Sequence, residues 1–433
     1  MSRHRISRRT LLAASAASLA GLGYAAPPPR RLRVAAVYTV LRFRSHAFNF
    51  LESFLRPYLF RGEATRAGMD VVSLYADQRA ADGDLTDDVA RRFKIPVFKT
   101  IDAALTLGGK DLAVDAVLSI GEHGDYPVNK LGQTEYPRKR FFDEIVAVMR
   151  RSRRFVPVFN DKHLSFRWDW AREIYDTARR LGIPLMAGSS VPLAERRPAL
   201  EPPAEARIEE AVAIHGGGVE SYDFHAFEIL QSLVEARRGG ETGISHVQFL
   251  QGDALWNAAK TGAWSPTVAE AALRAEFGAK LPDWRRPMGK IAPHGILLTY
   301  RDGLRGMLLK IGAGSVRWNL ALKLAGEKEP RACRFHVGPW GNRNLFMALS
   351  HAIQHFFRTR EAPYPVERTL LASGVLDAAM HSRAESRRLA TPHLEVAYRP
   401  RDFRAFRETG ASWRVLEKVR EPKDLDPAGR GDS

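Results

Sequence analysis

The chain has a single cysteine, Cys333, in 433 residues, so an intramolecular disulfide framework is excluded. It has no apolar run long enough to span a bilayer: the stretch Ala13–Gly23 is too short and too weakly apolar. Tight metal-ligand spacing is missing where histidines neighbour acids. His351 and His355, four apart on a predicted helix, read as a polar face, so no metal ligand is assigned. Arg and Lys outweigh the acids to give a formal charge of +17, yet they are scattered and interrupted by carboxylates. No basic helix face carries interleaved aromatics, which argues against a nucleic-acid partner. An arginine-rich solvated surface, an anionic ligand or an envelope surface accounts for the charge.

What is present begins with Ser7-Arg8-Arg9-Thr10-Leu11-Leu12, a twin-arginine pattern, followed by Ala13–Gly23 and a small-residue exit at Ala25 or Ala26. Residues 1–26 are expected to be a signal peptide read by the twin-arginine translocation machinery. The protein would then be periplasmic or otherwise exported, and the lone cysteine suits an oxidising compartment.

At this length two domains are expected. Leu32–Thr39, Asp70–Tyr75, Ile95–Phe98 and Val114–Ile120 read as strands alternating with helices such as Ile101–Leu107 and Lys139–Arg150. The central unit runs from Val156 to Ser190. Its strand Phe155–Phe159 leads to the polar cluster Asn160-Asp161-Lys162-His163, a helix capped by Ser165 and ended by Gly182, and a second strand, Ile183–Ala187. Strands alternating with helices predict a Rossmann-like, doubly wound parallel sheet over 32–190. The strand ends near Tyr38, Asp77, Gly121 and Asp161 then share the edge where ligands bind. From about Val191 the pattern changes to a long helix, Ser221–Arg237, strands Val247–Gln251, Gly295–Arg301 and Leu304–Ile311, and helices Asn344–Arg358 and Val366–Ser382. This second part, 191–400, is expected to be an α+β domain with a mostly antiparallel or mixed sheet. A C-terminal extension, 401–433, would be disordered after about Asp424.

With these motifs in place, the chain resembles the Gfo/Idh/MocA sugar and polyol dehydrogenases over roughly residues 32–397. Asp161-Lys162-His163 stands where that family has Glu-Lys-Pro. Phe224-His225-Ala226-Phe227-Glu228 resembles its helix with a catalytic histidine and an acid three residues on, and Pro363–Tyr398 resembles its closing segment. The resemblance implies catalytic roles for Lys162, His225 and Asp161, and cofactor contacts from Tyr38, Thr39, Arg44, Asp77, Gly121 and Glu122. His123, His163 and Asp223 would bind substrate, and NAD or NADP would accept hydride.

The departures from the family are as informative. Its Gly-x-Gly-x-x-Gly turn is here Tyr38, Val40 and Phe43, whose side chains project where backbone must meet pyrophosphate. A dinucleotide is therefore expected in an altered pose, with Arg42 or Arg44 on its phosphates, or not at all. The family aspartate four residues before the histidine is Ser221. Asp223 and His225, two apart, cannot share a helix face, so one is expected in the preceding turn. The function expected is an exported oxidoreductase acting on a carbohydrate, with a homo-oligomer in keeping. The alternatives are a non-catalytic sugar- or cell-wall-binding protein and a metal-dependent sugar lyase or hydrolase.

Overall fold

Short apolar runs between Leu32 and Gly188 pair edge to edge in the computed structural model, which describes residues 30–285, 292–311 and 318–425. They form one parallel sheet in the spatial order Val97–Phe98, Met69–Ala76, Leu32–Tyr38, Ala116–Ile120, Val158–Asp161 and Leu185–Gly188. In chain order that is 3-2-1-4-5-6, the doubly wound arrangement whose switch point lies between the first and fourth strands. Val34 to Tyr38 and Ala116 to Leu118 are fully buried, as expected of strands covered on both faces. The strand ends at Tyr38, Ala76, Ile120 and Asp161 lie on one edge.

The second half is a mixed eight-stranded sheet, ordered Leu389–Ala390, Ile244–Gln251, His294–Tyr300, Arg305–Lys310, Ile208–His215, Trp318–Leu324, Arg331–His336 and Glu195–Arg197. Its pairs are antiparallel except for Ile208–His215 with Arg305–Lys310. Strand alternation sorts the two faces. Val212, Ile214, Met307 and Leu309 pack with Trp264 and with Leu273 of the helix Pro266–Phe277, whereas Ala211, Ala213 and Leu308 join the core shared with the first half. The helix Ser221–Val234 lies on that shared side.

One local expectation changes. The central helix is Trp168–Leu181, preceded by Arg167 rather than capped by Ser165, whose hydroxyl accepts from Arg167 N. Its first free N–H, on Trp168, is met from a distance by Asp377 Oδ2 at 3.0 Å. The extension from residue 401 packs on the first half as far as it is described: Trp413, Leu416 and Leu425 are buried, and Arg61 donates to the carbonyls of Arg404 and Arg407. The leader, the turn Gly312-Ala313-Gly314 and the tail beyond Leu425 lie outside the described residues. Among the described residues, no helix is long and apolar enough to cross a membrane.

Candidate functional site

The strand Val158–Asp161 ends in a sharp turn because Lys162 adopts a left-handed backbone, φ 66°, and its N–H returns to Gly188 O at 3.3 Å. Two further non-glycine residues at the same site, His123 (φ 70°) and Glu220 (φ 65°), share this conformation. Such backbones cost free energy and persist where the surroundings hold them, often at functional sites. Lys162 is buried, with Nζ 3.4 Å from Glu122 Oε1 and 3.5 Å from Ser221 O. Glu122 also accepts from the buried Arg138 guanidinium. Burial alone would raise the Glu122 carboxyl, but Lys162 and Arg138, with His46 and His123, outweigh it and hold it well below the usual range.

The other half of the site is the helix Ser221–Val234. Glu220 caps it and accepts from the backbone of Asp223, while Asp223 Oδ2 accepts from Glu220 N at 2.7 Å. Asp223 and His225 are therefore both within the helix, and neither lies in the preceding turn. Asp223 points into the sheet, to His215 and His294, and His225 points into the cavity. Ser189 Oγ holds His225 Nδ1 at 2.5 Å, which leaves Nε2 for a ligand. Burial first, then the Lys162 charge, push His225 well below its ordinary value, so the ring is a neutral base.

One turn on, Glu228 accepts from Ser189 N at 3.2 Å and Thr369 Oγ1 at 3.1 Å. Burial raises its carboxyl from 4.5 to about 7 despite the opposing charge of Arg368. A carboxyl raised in the folded state contributes stability that is fully present below pH 4.5 and lost as pH rises through about 7. Relative to Glu228→Gln, the wild type should lose about 3 kcal/mol between those limits. Denaturant unfolding of both proteins across that range measures it, and a pH-independent difference would refute the assignment.

Lys162 and His225 line one cavity of about 320 Å³ between the two sheets, together with Glu122, His123, His163, His46, Tyr136, Tyr222 and Asn342. His163 Nε2 lies 3.3 Å from Glu220 and 3.5 Å from Arg138. Burial and Arg138 lower its pKa. His123 is pushed to about 3 by burial, with His46 and Lys162 adding to the shift and Glu122 opposing it. Of the sequence-assigned residues, the structure thus gathers Lys162, His225, Glu122, His123 and His163. Asp161 is set behind them, held by His46 Nδ1 at 2.6 Å, and Asp223 does not reach the cavity. His46, Arg138, Ser189, Tyr136 and Tyr222 carried no role in the sequence. For His46 the signal was its place just after the glycine-free turn.

The residues at the switch point do not fit a dinucleotide in the pose a glycine-rich turn provides. Tyr38, Thr39, Val40 and Leu41 are at most 2% exposed. Tyr38 is directed to Thr86, Thr39 Oγ1 donates to Glu122 O at 2.5 Å, and Leu41 O accepts from Leu85 N. Ser45 Oγ caps the first helix, His46–Leu55, by accepting from Phe48 N, so its N-terminus is already served. Asp77, the candidate ribose acid, is taken by Tyr75, Tyr126 and Arg140 at 2.6 to 2.7 Å. Gly121 is backed by Arg138, whose Cγ would stand 2.7 Å from an added Cβ. Arg44 pairs with Glu421 of the C-terminal extension, as does Arg343, so it is not left for phosphate.

No family model matches the chain, and no curated protein matches it. Solved structures do. GenD2 from gentamicin A biosynthesis, solved with NAD, aligns at a TM-score of 0.54 and 15% identity over 84% of this chain and 99% of its own. A probable dehydrogenase from Thermotoga maritima gives 0.52 and 11% over 84% and 100%. The myo-inositol dehydrogenase from Lactobacillus casei, solved with NAD(H) and myo-inositol, gives 0.51 and 12% over 83% and 97%. The chain has the two-part fold of the Gfo/Idh/MocA-type dehydrogenases.

Proposed function

We propose that the chain is an enzyme acting on a sugar, glycoside or polyol, with Lys162 and His225 moving the proton of a ligand hydroxyl or carbonyl. The observation that carries this is their convergence from the two halves of the fold on one buried polar cavity. At about 320 Å³ the cavity is at the small end of ligand sites and suits a single sugar-sized ring. Lys162, held by Glu122, presents a cation to a ligand oxygen, and the neutral His225 takes the proton. These residues support isomerisation or elimination beside a carbonyl without a hydride acceptor. The twin-arginine pattern supports export of this activity.

The fold likeness to NAD-bound dehydrogenases favours a second reading, hydride transfer with NAD(P) held in a different pose. One experiment separates the two. The protein is incubated in deuterated water with a panel of aldoses, ketoses, glycosides and polyols, with and without NAD(P). Deuterium incorporation without dinucleotide supports proton-transfer chemistry. Conversion only with NAD(P), or sub-micromolar NAD(P) uptake by calorimetry, establishes the second reading and overturns that of the filled crevice. Ligand binding with no exchange or conversion in either arm would sink both and leave a binding protein.

A further inference from the structure

We infer that His215, Asp223 and His294 hold a divalent metal ion, and that zinc is the ion their chemistry fits. The three residues come from two strands and a helix. His215 ends one strand and His294 begins another, and Lys310 stands in register between them on the intervening strand. Because residues paired across a sheet share a face, both histidines emerge on the side where the helix Ser221–Val234 brings Asp223. His215 Nε2 lies 2.9 Å from Asp223 Oδ1, and His294 Nε2 lies 3.0 and 3.2 Å from Oδ1 and Oδ2. All the candidate ligand atoms fall within 4.8 Å of one another. With metal–ligand bonds of about 2.0–2.2 Å, neighbouring ligands of a tetrahedral or octahedral ion stand roughly 2.9–3.5 Å apart.

Hydrogen bonds from the two rings to Asp223 would also account for these distances, so the spacing alone does not decide. Nor do the ring edges. Nδ1 of both histidines lacks a partner among the described residues, and this holds whether Nε2 donates to the carboxylate or binds a metal. The buried charge decides. Asp223 is fully buried, and the histidines beside it hold their Nε2 atoms against its oxygens. The three side chains are all buried, and their ligand atoms are brought together from two strands and a helix. A buried carboxylate is stable when paired with a cation or coordinated to a metal. Two imidazoles and one carboxylate are a nitrogen- and oxygen-donor set suited to zinc.

The ion would tie the first turn of the helix to the sheet through Asp223, two residues before His225. It stands apart from the cavity, whose lining includes Tyr222 and His225 but none of the three ligands. The inference therefore does not depend on the reaction proposed there.

The test uses the full chain, stripped with a chelator and titrated with zinc and then cobalt. Uptake of about one equivalent per chain, with visible cobalt absorption characteristic of nitrogen and oxygen ligands, is expected. Asp223→Asn and His294→Gln should abolish uptake, while His355→Gln, on a different helix, retains it. Wild-type protein that takes up neither ion overturns the inference, and so does a folded Asp223→Asn protein that binds cobalt unchanged. If the variants do not fold, the decision rests on the wild-type cobalt spectrum: a spectrum lacking histidine-nitrogen character also overturns it.

Discussion

Replacing Lys162 by Gly or His225 by Ala should slow turnover about 10²–10⁴-fold, the usual contribution of a positioned acid or base. Ligand affinity should change far less, because one lost hydrogen bond costs about 0.5–1.5 kcal/mol. The choice of glycine at position 162 rests on the backbone. Lys162 has φ 66°, which glycine adopts without strain, so deleting the side chain there removes charge and relieves the turn together. Glu122 keeps Arg138 as its ion-pair partner. Lys162→Gly should therefore fold and melt close to wild type while losing rate. Steady-state kinetics on the ligand found by deuterium exchange, alongside thermal melts, measures both. Full turnover in either folded variant would remove that residue from the chemistry.

Most of the fold was legible because each signal was local. The apolar run before Tyr38, the glycine after Leu181 and the alternation of strands with helices are set by neighbours in the chain, and these segments lie close to where they were expected. Lys162 could be singled out because a lysine at a parallel strand end is poorly explained by packing, and His225 because its helix resembles that of a known family. Contacts that close over long sequence separations were not legible. His215 and His294 meet only because Arg305–Lys310 pairs with both of their strands, and no spacing in the chain encodes that pairing. Arg138 stood just before the expected helix Lys139–Arg150 and drew no role, yet it is buried because Glu122 and Asp161 O converge on it from two strand ends. Asp77 read as a ribose acid, since neither Tyr126 nor Arg140 could be seen to reach it. Glu421 read only as part of a C-terminal extension, although it meets Arg44 and Arg343 beside the switch point.

Arg138→Ala should destabilise the protein by about 3–5 kcal/mol, the usual cost of removing one partner of a buried ion pair. The guanidinium is 1% exposed. It donates to Glu122, reaches Asp161 O at 3.3 Å and covers the Tyr136 ring at 5.0 Å. Without it, the buried Glu122 carboxylate keeps Lys162 as its remaining ion-pair partner, at 3.4 Å. Removing the second charge as well tests whether the loss comes from the buried carboxylate left without Arg138. Arg138→Met with Glu122→Leu should regain part of the stability, since apolar replacement of a buried pair is often neutral or better, while Lys162 is left without its carboxylate. Urea unfolding of the single and double variants gives both numbers, and a single variant within about 1 kcal/mol of wild type would refute the buried-pair assignment. The double variant should nevertheless remain slow in turnover. Glu122 is the carboxylate that holds the Lys162 ammonium in the cavity, so stability and chemistry, joined at this pair in the wild type, separate when both charges are removed.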